Sequence, residues 1–191
     1  MKSGQYEVVE DFVPVSDTEA LITAGPGLRD LSAIALVEWS IEGECIVLSR
    51  PIVLRSGEYL RLGNLTKGGG LIYSEGWEGP HQPHLAGGRY YCTNDAPCGQ
   101  IYRDGKLFID YWDDTVEVTN PWVDEVGGHI YFEARDGSSM APTDWNVWRC
   151  DMDGENKELV VHGANPCVFD GSLYFGVWNG HCFDIGIMDA I

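Results

Sequence analysis

Basic residues are scarce in this 191-residue chain: 12 Lys and Arg stand against 30 Asp and Glu, which gives a formal net charge of −18. No basic run exists that could neutralise a phosphate backbone, and a surface of this sign repels nucleic acid and anionic lipid. We therefore expect neither nucleic acid nor a membrane as a partner. The same charge fits simple solubility, or carboxylates gathered in a cleft for a sugar or a metal. The oligomeric state is left open.

Long apolar runs are also missing. No stretch is long enough to cross a bilayer, and residues 1–7 contain no apolar core of signal-peptide length. On that basis we expect a cytoplasmic protein whose six cysteines are reduced, although removal of a signal peptide would reopen the question of disulfides. Cys92 and Cys98, the closest pair, have five residues between them, whereas zinc-binding pairs have about two to four. We therefore predict core cysteines and neither a metal nor any other cofactor.

Packing and turn residues, by contrast, are plentiful. The chain is 44% apolar, and its 24 Gly and nine Pro are scattered rather than clustered. This distribution is typical of many short strands joined by tight turns, and the length suits one domain over residues 1–191. Only residues 28–39 have helical spacing, and within them residues 34–37 suit a buried strand equally well.

A repeated pattern organises these strands. A proline is followed, after a short gap, by a glycine, one variable residue and an apolar or aromatic pair. The glycines lie 31, 40 and 43 residues apart. Proline can open a strand where no ladder N–H is needed, and glycine can take the positive φ of a hairpin turn. The four instances are Pro51 with Gly57, Pro83 with Gly88, Pro121 with Gly128, and Pro166 with Gly171.

Two hairpins in each unit of about forty residues predict four-stranded blades. We therefore predict an all-β fold, a β-propeller of about five blades of four antiparallel strands. Because the last unit is short, residues 6–15 are expected to complete its sheet, so that the N-terminal strand closes the ring. Residues 148–156, with their Asp-x-Asp-Gly-x-Asn turn, and the following Asn165-Pro166 resemble blades of TolB-like propellers. That resemblance covers the last third of the chain and concerns fold rather than function.

One motif points to carbohydrate chemistry. The segment Trp77-Glu78-Gly79-Pro80-His81, followed by a Gly-Arg-Tyr-Tyr strand at residues 88–91, resembles glycoside hydrolase family 43, whose members are five-bladed propellers. The resemblance implies that Glu78 is a general acid and that Trp77 and His81 line a sugar-binding floor. Inversion at a glycosidic carbon also needs a basic carboxylate about 6.5–9.5 Å from the acid. Asp30 is the early carboxylate nearest to the family's pattern. The family usually has its Asp residues next to Pro at the blade openings, where this chain has Arg50-Pro51, Asn120-Pro121 and Asn165-Pro166.

The blade openings suggest a site without reference to any family. First strands of propeller blades converge on the centre, so their opening residues would face a common ligand. The predicted ligand-binding residues are Trp77, His81, His84, Asn120, Trp122 and Asn165. Alternatively, the asparagines satisfy backbone groups at strand starts. Three functions remain open: a glycoside hydrolase, a non-catalytic propeller that binds a small polar ligand, glycan or protein, and a structural scaffold.

Overall fold

The computed structural model describes residues 8–26, 32–42, 45–57, 60–65, 71–74, 81–93, 99–112, 115–136, 144–180 and 183–190. Over these residues the backbone forms strands and turns and no α-helix, so the predicted all-β class is confirmed. The ambiguous segment forms a strand from Ala33 onward. No helix in this part of the chain is long and apolar enough to cross a membrane.

The described strands form five antiparallel sheets, each built from consecutive strands. They contain four, two, four, four and three strands, so the predicted four-stranded unit is found in three of the five. The first sheet contains β1 (Val8–Pro14), β2 (Glu19–Gly25), β3 (Ala33–Glu42) and β4 (Cys45–Ser56), and the second contains β5 (Arg61–Leu65) and β6 (Leu71–Ser74). The third contains β7 (His81–Ala86), β8 (Arg89–Thr93), β9 (Ile101–Arg103) and β10 (Lys106–Ile109). The fourth contains β11 (Thr115–Asp124), β12 (His129–Asp136), β13 (Trp145–Asp151) and β14 (Glu158–His162), and the fifth contains β15 (Ala164–Phe169), β16 (Ser172–Trp178) and β17 (Phe183–Asp189).

Two-residue turns join several of these strands. Gly87-Gly88, Asp104-Gly105 and Asp170-Gly171 each place two successive residues at positive φ, between 48° and 76°. This is the backbone of a type I′ hairpin, whose twist matches that of the flanking strands. The predicted turn roles of Gly88 and Gly171 are therefore confirmed. Gly128, at φ 78°, ends the longer turn before β12.

The prolines of the repeated pattern divide into two groups. Pro83, Pro121 and Pro166 lie on the first strands of the third, fourth and fifth sheets, as predicted, but within these strands rather than at their openings, and Pro121 lies in the middle of β11. The prediction for Pro51 is wrong, because it lies within β4, the last strand of the first sheet. The reason is local: Arg50 has φ 50°, close to the 51° of the asparagines before Pro121 and Pro166, and it forms the same kind of bulge. The pattern therefore marks a bulge rather than a position in the sheet.

The N-terminal strand also departs from the prediction. Strand β1 pairs with β2, with Val13 opposite Leu21, and is the first strand of the first sheet. It does not complete the last sheet, in which β17 pairs with β16. The connection between β1 and β2 is short and ordered, since Ser16 Oγ accepts the Glu19 N–H at 3.0 Å. A local hairpin costs less loop-closure entropy than pairing with a strand more than 150 residues away.

The first strands of the five sheets contact one another in a cyclic order: β1 with β5, β5 with β7, β7 with β11, β11 with β15, and β15 with β1. Every first strand carries a bulge that sets two residues against one on its neighbour. The approach is closest between β5 and β7. A Cβ atom on Gly63 would lie 1.7 Å from the Pro83 carbonyl oxygen, so only glycine fits there.

Apolar packing lies between neighbouring sheets. Phe12, Trp39 and Tyr174 join the first sheet to the fifth, with ring centroids 5.6–5.9 Å apart. A second cluster, which includes Tyr91, Ile101 and Phe132, joins the third sheet to the fourth. Three cysteines are buried and free, as predicted: Cys92, Cys150 and Cys167.

Candidate ligand-binding site at the centre of the first strands

Each first strand pairs with only one neighbour in its own sheet, so its other edge carries backbone N–H groups outside any ladder. Side chains of the preceding sheet accept one such N–H at each of the four junctions between consecutive sheets. The bonds are Leu62 N to Asp11 Oδ2 (2.8 Å), Leu85 N to Asn64 Oδ1 (2.9 Å), Val123 N to His84 Nε2 (3.3 Å), and Asn165 N to Glu133 Oε1. We call these four contacts the junction bonds.

The first junction bond belongs to a buried ion pair. Asp11 and Arg61 are 6% and 4% exposed. Arg61 Nη2 donates to Asp11 Oδ1 at 2.9 Å and its Nε donates to Oδ2 at 3.2 Å, which is the bidentate geometry that favours Arg over Lys. The Thr23 hydroxyl donates to Asp11 Oδ2 at 2.8 Å. Both oxygens of this carboxylate are therefore occupied.

Arg61 also reaches across the centre to two other sheets. Its Nη2 donates to Asn165 Oδ1 at 3.0 Å and to Asn120 Oδ1 at 3.4 Å. Asn120 Nδ2 donates in turn to Glu133 Oε1 at 2.7 Å, and the Thr119 hydroxyl donates to Oε2 at 3.2 Å. We call the whole set the central network: Asp11, Thr23, Arg61, Thr119, Asn120, Glu133 and Asn165.

Glu133 is the second carboxyl of the central network and is 4% exposed. Burial raises its pKa above the usual value of 4.5, because the ionised form loses its hydration. The hydrogen bonds from Asn120 and Asn165, the Arg61 charge and the Thr119 hydroxyl act in the opposite direction without cancelling the effect of burial. The carboxyl is thus biased towards its protonated form.

A small cavity of about 30 Å³ lies beside the central network. Its walls include Asp11, Asn120 and Asn165, the prolines Pro83, Pro121 and Pro166, and His84 and Trp122. A cavity of this size holds one or two water molecules. It is too small for a sugar.

A larger cavity, which we call the mouth, has a volume of about 670 Å³. It is lined at the carboxyl ends of the first strands, by Val13–Val15, Asn64, residues 84–88, residues 122–125, and Val168 with Phe169. The volume lies within the range of about 300–1,000 Å³ typical of small-molecule sites. His84, Trp122 and Val13 line both the mouth and the small cavity.

His84 lines both cavities, and its two ring nitrogens differ in their hydrogen bonding. It is 2% exposed, and its ring packs edge to face against Trp122 with centroids 4.8 Å apart. Burial lowers its pKa to about 3, so the ring is neutral. Because Nε2 accepts the Val123 N–H, the single ring proton is assigned to Nδ1. Nδ1 has no hydrogen-bond partner among the described residues.

The residues predicted from sequence fall into two groups. His84, Asn120, Trp122 and Asn165 come together around the small cavity. The asparagine side chains, however, bind Arg61, Glu133 and each other in the central network, which differs from the alternative that they satisfy backbone groups at strand starts. The backbone of His81 opens β7, whereas its side chain lies outside the described residues, as do Asp30, Trp77 and Glu78.

Sequence reasoning missed Asp11, Arg61 and Glu133. Asp11 lies in the bulge of β1, as Asn120 and Asn165 lie in the bulges of β11 and β15. A charged residue between apolar neighbours, Phe132 and Ala134, is the available signal for Glu133, since buried charges are paired. Asp11 directly follows Glu10 and has no such signal. Nothing local marks Arg61, which is one of eight arginines.

A scan against models of known protein families matched none, and a search of curated proteins found no relative. Among the described residues, no three His, Cys, Asp or Glu side chains converge in a way that could hold a metal ion. The proposal for this site therefore depends on its own geometry.

We predict that Arg61→Met lowers the free energy of unfolding by about 3–5 kcal/mol, because it leaves the Asp11 carboxylate buried without its counter-charge. Urea denaturation at neutral pH measures the loss. Arg50→Met is the matched control: Arg50 also forms a 2.9 Å ion pair, with Glu38, but the two side chains are 77% and 47% exposed. An exposed pair contributes about 1 kcal/mol at most. Equal losses in both variants would contradict a stabilising role for the central network.

We also predict that Glu133→Gln changes the pH dependence of stability. A carboxyl whose pKa is raised on folding binds more protons in the native state, so its contribution falls as pH rises above about 4.5, the unfolded value. The amide can accept from Asn120 and Asn165 through its oxygen and donate to the Thr119 hydroxyl. Wild-type stability minus variant stability, from urea denaturation, should therefore be smaller at pH 7 than at pH 5. A constant difference would show that Glu133 does not titrate in this way.

Proposed function

We propose that this chain is a five-bladed β-propeller that binds a small polar ligand in its mouth without catalysing a reaction there. The observation that carries the binding function is the mouth itself: a cavity of about 670 Å³ to which all five first strands contribute side chains. Sites at the centre of a ring of strands are assembled from rigid elements and are largely formed before the ligand arrives.

The cyclic contacts of the first strands support the propeller. In this proposal, consecutive antiparallel sheets follow one another around a ring, and each of the four junctions between consecutive sheets has its own hydrogen bond. Two of the sheets, the second and the fifth, have fewer than four strands among the described residues. The common bulge on every first strand suits the strong twist that radially packed sheets need.

The state of the central carboxyls favours binding over catalysis. A hydrolytic base needs a free lone pair and an adjacent water, whereas both oxygens of Asp11 already accept hydrogen bonds. Glu133 is buried and bound to donors from two sheets. These two carboxyls therefore stabilise the junctions between sheets.

The mouth offers the mixture of surfaces that small polar ligands need. Trp122 and Phe169 are half-buried aromatic side chains on its wall, and Val13 and Val168 add apolar area. Asp124 and Glu125 provide carboxylates at the end of β11. An apolar wall with a few fixed polar groups is the usual composition of such a site.

We predict that Trp122→Ala weakens ligand binding at least about tenfold. A panel of neutral monosaccharides, disaccharides and polyols should contain a compound that raises the melting temperature of the wild-type protein, because a ligand at a hundredfold excess over its Kd adds about 2.7 kcal/mol. Trp178→Ala is the matched control, since Trp178 is also half-buried but does not line the mouth. A ligand whose Kd is unchanged by Trp122→Ala would argue against the mouth as its site.

A glycoside hydrolase is the second candidate, and one observation favours it. Asp11 is a buried carboxylate on the first strand of the first sheet, and the resemblance implies a base early in the chain, for which the sequence pattern favours Asp30. Glu78, the acid that the resemblance implies, precedes the start of β7 by three residues.

For this candidate, we predict that Glu78→Gln abolishes hydrolysis of aryl arabinosides or xylosides while the circular dichroism spectrum stays unchanged, because the amide cannot protonate a leaving oxygen. Glu75→Gln, three residues earlier in the chain, should keep the activity. Turnover that survives in the Glu78 variant, or its absence from the wild-type protein, would reject the hydrolase.

A further inference from the structure

The second half of β4 buries neither of its faces. All residues from 49 to 56 are exposed, although successive side chains of a strand point to opposite faces of a sheet. Within this stretch, Ile52, Val53 and Leu54 are 60%, 45% and 52% exposed. A run of exposed aliphatic side chains on an outer strand is typical of a surface that a partner covers.

Strand β4 is also the edge of the first sheet. Among the described strands it pairs with β3 alone, so its other edge carries backbone groups outside any ladder. Pro51 and the bulges near it protect part of that edge, since proline has no N–H to donate. They leave the aliphatic side chains exposed. The partner that fits this edge is therefore an extended segment whose own side chains pack beside β4.

The charge of β4 limits what that segment can be. The strand has two arginines, Arg50 and Arg55, and no acidic residue, in a chain of net charge −18. Both arginines are exposed. The ion pair of Arg50 with Glu38 is exposed as well, and such a pair contributes little, so Arg50 can exchange it for another carboxylate. The complement of β4 is thus an apolar strand with acidic side chains.

The chain has such a strand of its own. Strand β17 is the edge of the fifth sheet, which has three strands in the described part of the chain, whereas the first, third and fourth sheets have four. It carries Asp184 and Asp189, which are exposed, and no basic residue. Ile187 lies between them and is 44% exposed. A fourth strand can therefore be added beside β17.

The charged residues of the two strands have the same spacing. Arg55 follows Arg50 by five residues, and Asp189 follows Asp184 by five residues. When β4 and β17 lie side by side, both arginines can therefore face an aspartate in one register. Opposite charges on neighbouring strands attract, and a register that separates them loses both contacts.

The apolar residues favour the antiparallel direction. With the charges matched, an antiparallel arrangement sets Ile52 beside Ile187, the most exposed aliphatic residues of the two strands. The parallel direction would set Ile52 beside Gly186. Mutual burial of the two isoleucines removes apolar surface from water, which is the main favourable term in such a contact.

The positions of β4 and β17 allow two such contacts at once. The first and fifth sheets are neighbours: β17 contacts β4, and Phe12, Trp39 and Tyr174 pack between the sheets. A two-fold axis that brings β4 of one copy beside β17 of another therefore brings the reverse pair together as well. A single pair of short strands is marginally stable, so the second contact matters.

We propose that the partner of β4 is a second copy of this chain, in a two-fold dimer in which β4 of each copy lies antiparallel beside β17 of the other. Each contact joins the four strands of one first sheet to the three of the other copy's fifth sheet. Because the net charge of −18 repels copies elsewhere, association is confined to edges of opposite charge. The dimer does not depend on the mouth or its ligand.

The test measures the dissociation constant of the dimer by sedimentation velocity. Ile52→Asp places a carboxylate against the acidic β17 of the other copy and removes the aliphatic contact. Leu159→Asp is the matched control, because Leu159 is 48% exposed on β14, the outer strand of the fourth sheet. Circular dichroism spectra check that both variants keep the fold.

We expect the wild-type protein to be a dimer, and Leu159→Asp to leave its dissociation constant unchanged. Ile52→Asp should weaken each contact about tenfold or more. Since a two-fold dimer contains the contact twice, the dissociation constant should rise about a hundredfold.

A charge exchange tests the register. Arg55→Glu alone and Asp184→Arg alone should each weaken the dimer, because each sets like charges against one another. The variant with both substitutions should regain most of the affinity, since opposite charges face each other again. Substitutions that acted only by disturbing their own strands would give no such recovery.

Three results would overturn the inference. A wild-type protein that is monomeric at every concentration measured would leave β4 to another segment of the chain or to a different protein. A dimer that persists unchanged in Ile52→Asp would place the interface elsewhere. Failure of the double variant to recover affinity would reject the contact between Arg55 and Asp184.

Discussion

The arrangement of the sheets depends on the free edges of the first strands. A first strand brings unpaired N–H groups towards its neighbours, and each such group left buried without an acceptor would cost about 1–3 kcal/mol. At each of the four junctions between consecutive sheets, one side chain from the preceding sheet accepts such an N–H. These side chains are Asp11, Asn64, His84 and Glu133. Because Asp11 and Glu133 are themselves buried carboxyls, they need further donors of their own. Arg61 provides them for Asp11 and connects the second sheet to the first, fourth and fifth. The satisfaction of edge N–H groups thus requires the central network.

This requirement also explains what the sequence could and could not predict. A turn depends on residues that are close together in the sequence. The glycines therefore predict the hairpins at Gly88 and Gly171, where the structure has positive φ. Bulges are local too, which is why the proline pattern found three first strands and also the bulge at Pro51 on an outer strand. Partners across the centre are not local. Arg61 lies 50 residues from Asp11 and 104 from Asn165, and no spacing rule relates such positions. The role of the N-terminal strand was mispredicted for a similar reason, because a short last unit suggested a missing strand without showing which strand would supply it.

The same polar groups separate the centre into a structural part and a part in which we propose that a ligand binds. Asp11 and Glu133 are committed to junctions and to Arg61, so their carboxyls contribute stability. Beyond them lie a cavity large enough only for water and then the mouth, whose walls include the half-buried Trp122 and Phe169. In some proteins buried ionic groups specify geometry rather than add free energy, and we infer that role for the central network. Here the network fixes the relative positions of the first strands, and their carboxyl ends then form a mouth of defined shape.

His84 links these two parts. Its Nε2 accepts a backbone N–H and its Nδ1 carries the proton, so the two ring nitrogens have opposite roles that depend on each other. An oxygen that accepted from Nδ1 would polarise the N–H bond, raise the electron density of the ring and so make Nε2 a better acceptor, since hydrogen bonds in a chain polarise one another. Any such acceptor would therefore strengthen the junction between the third and fourth sheets. The reverse also follows: a weaker junction bond would leave the tautomer less firmly fixed. The strength of this junction thus depends on the position of one proton.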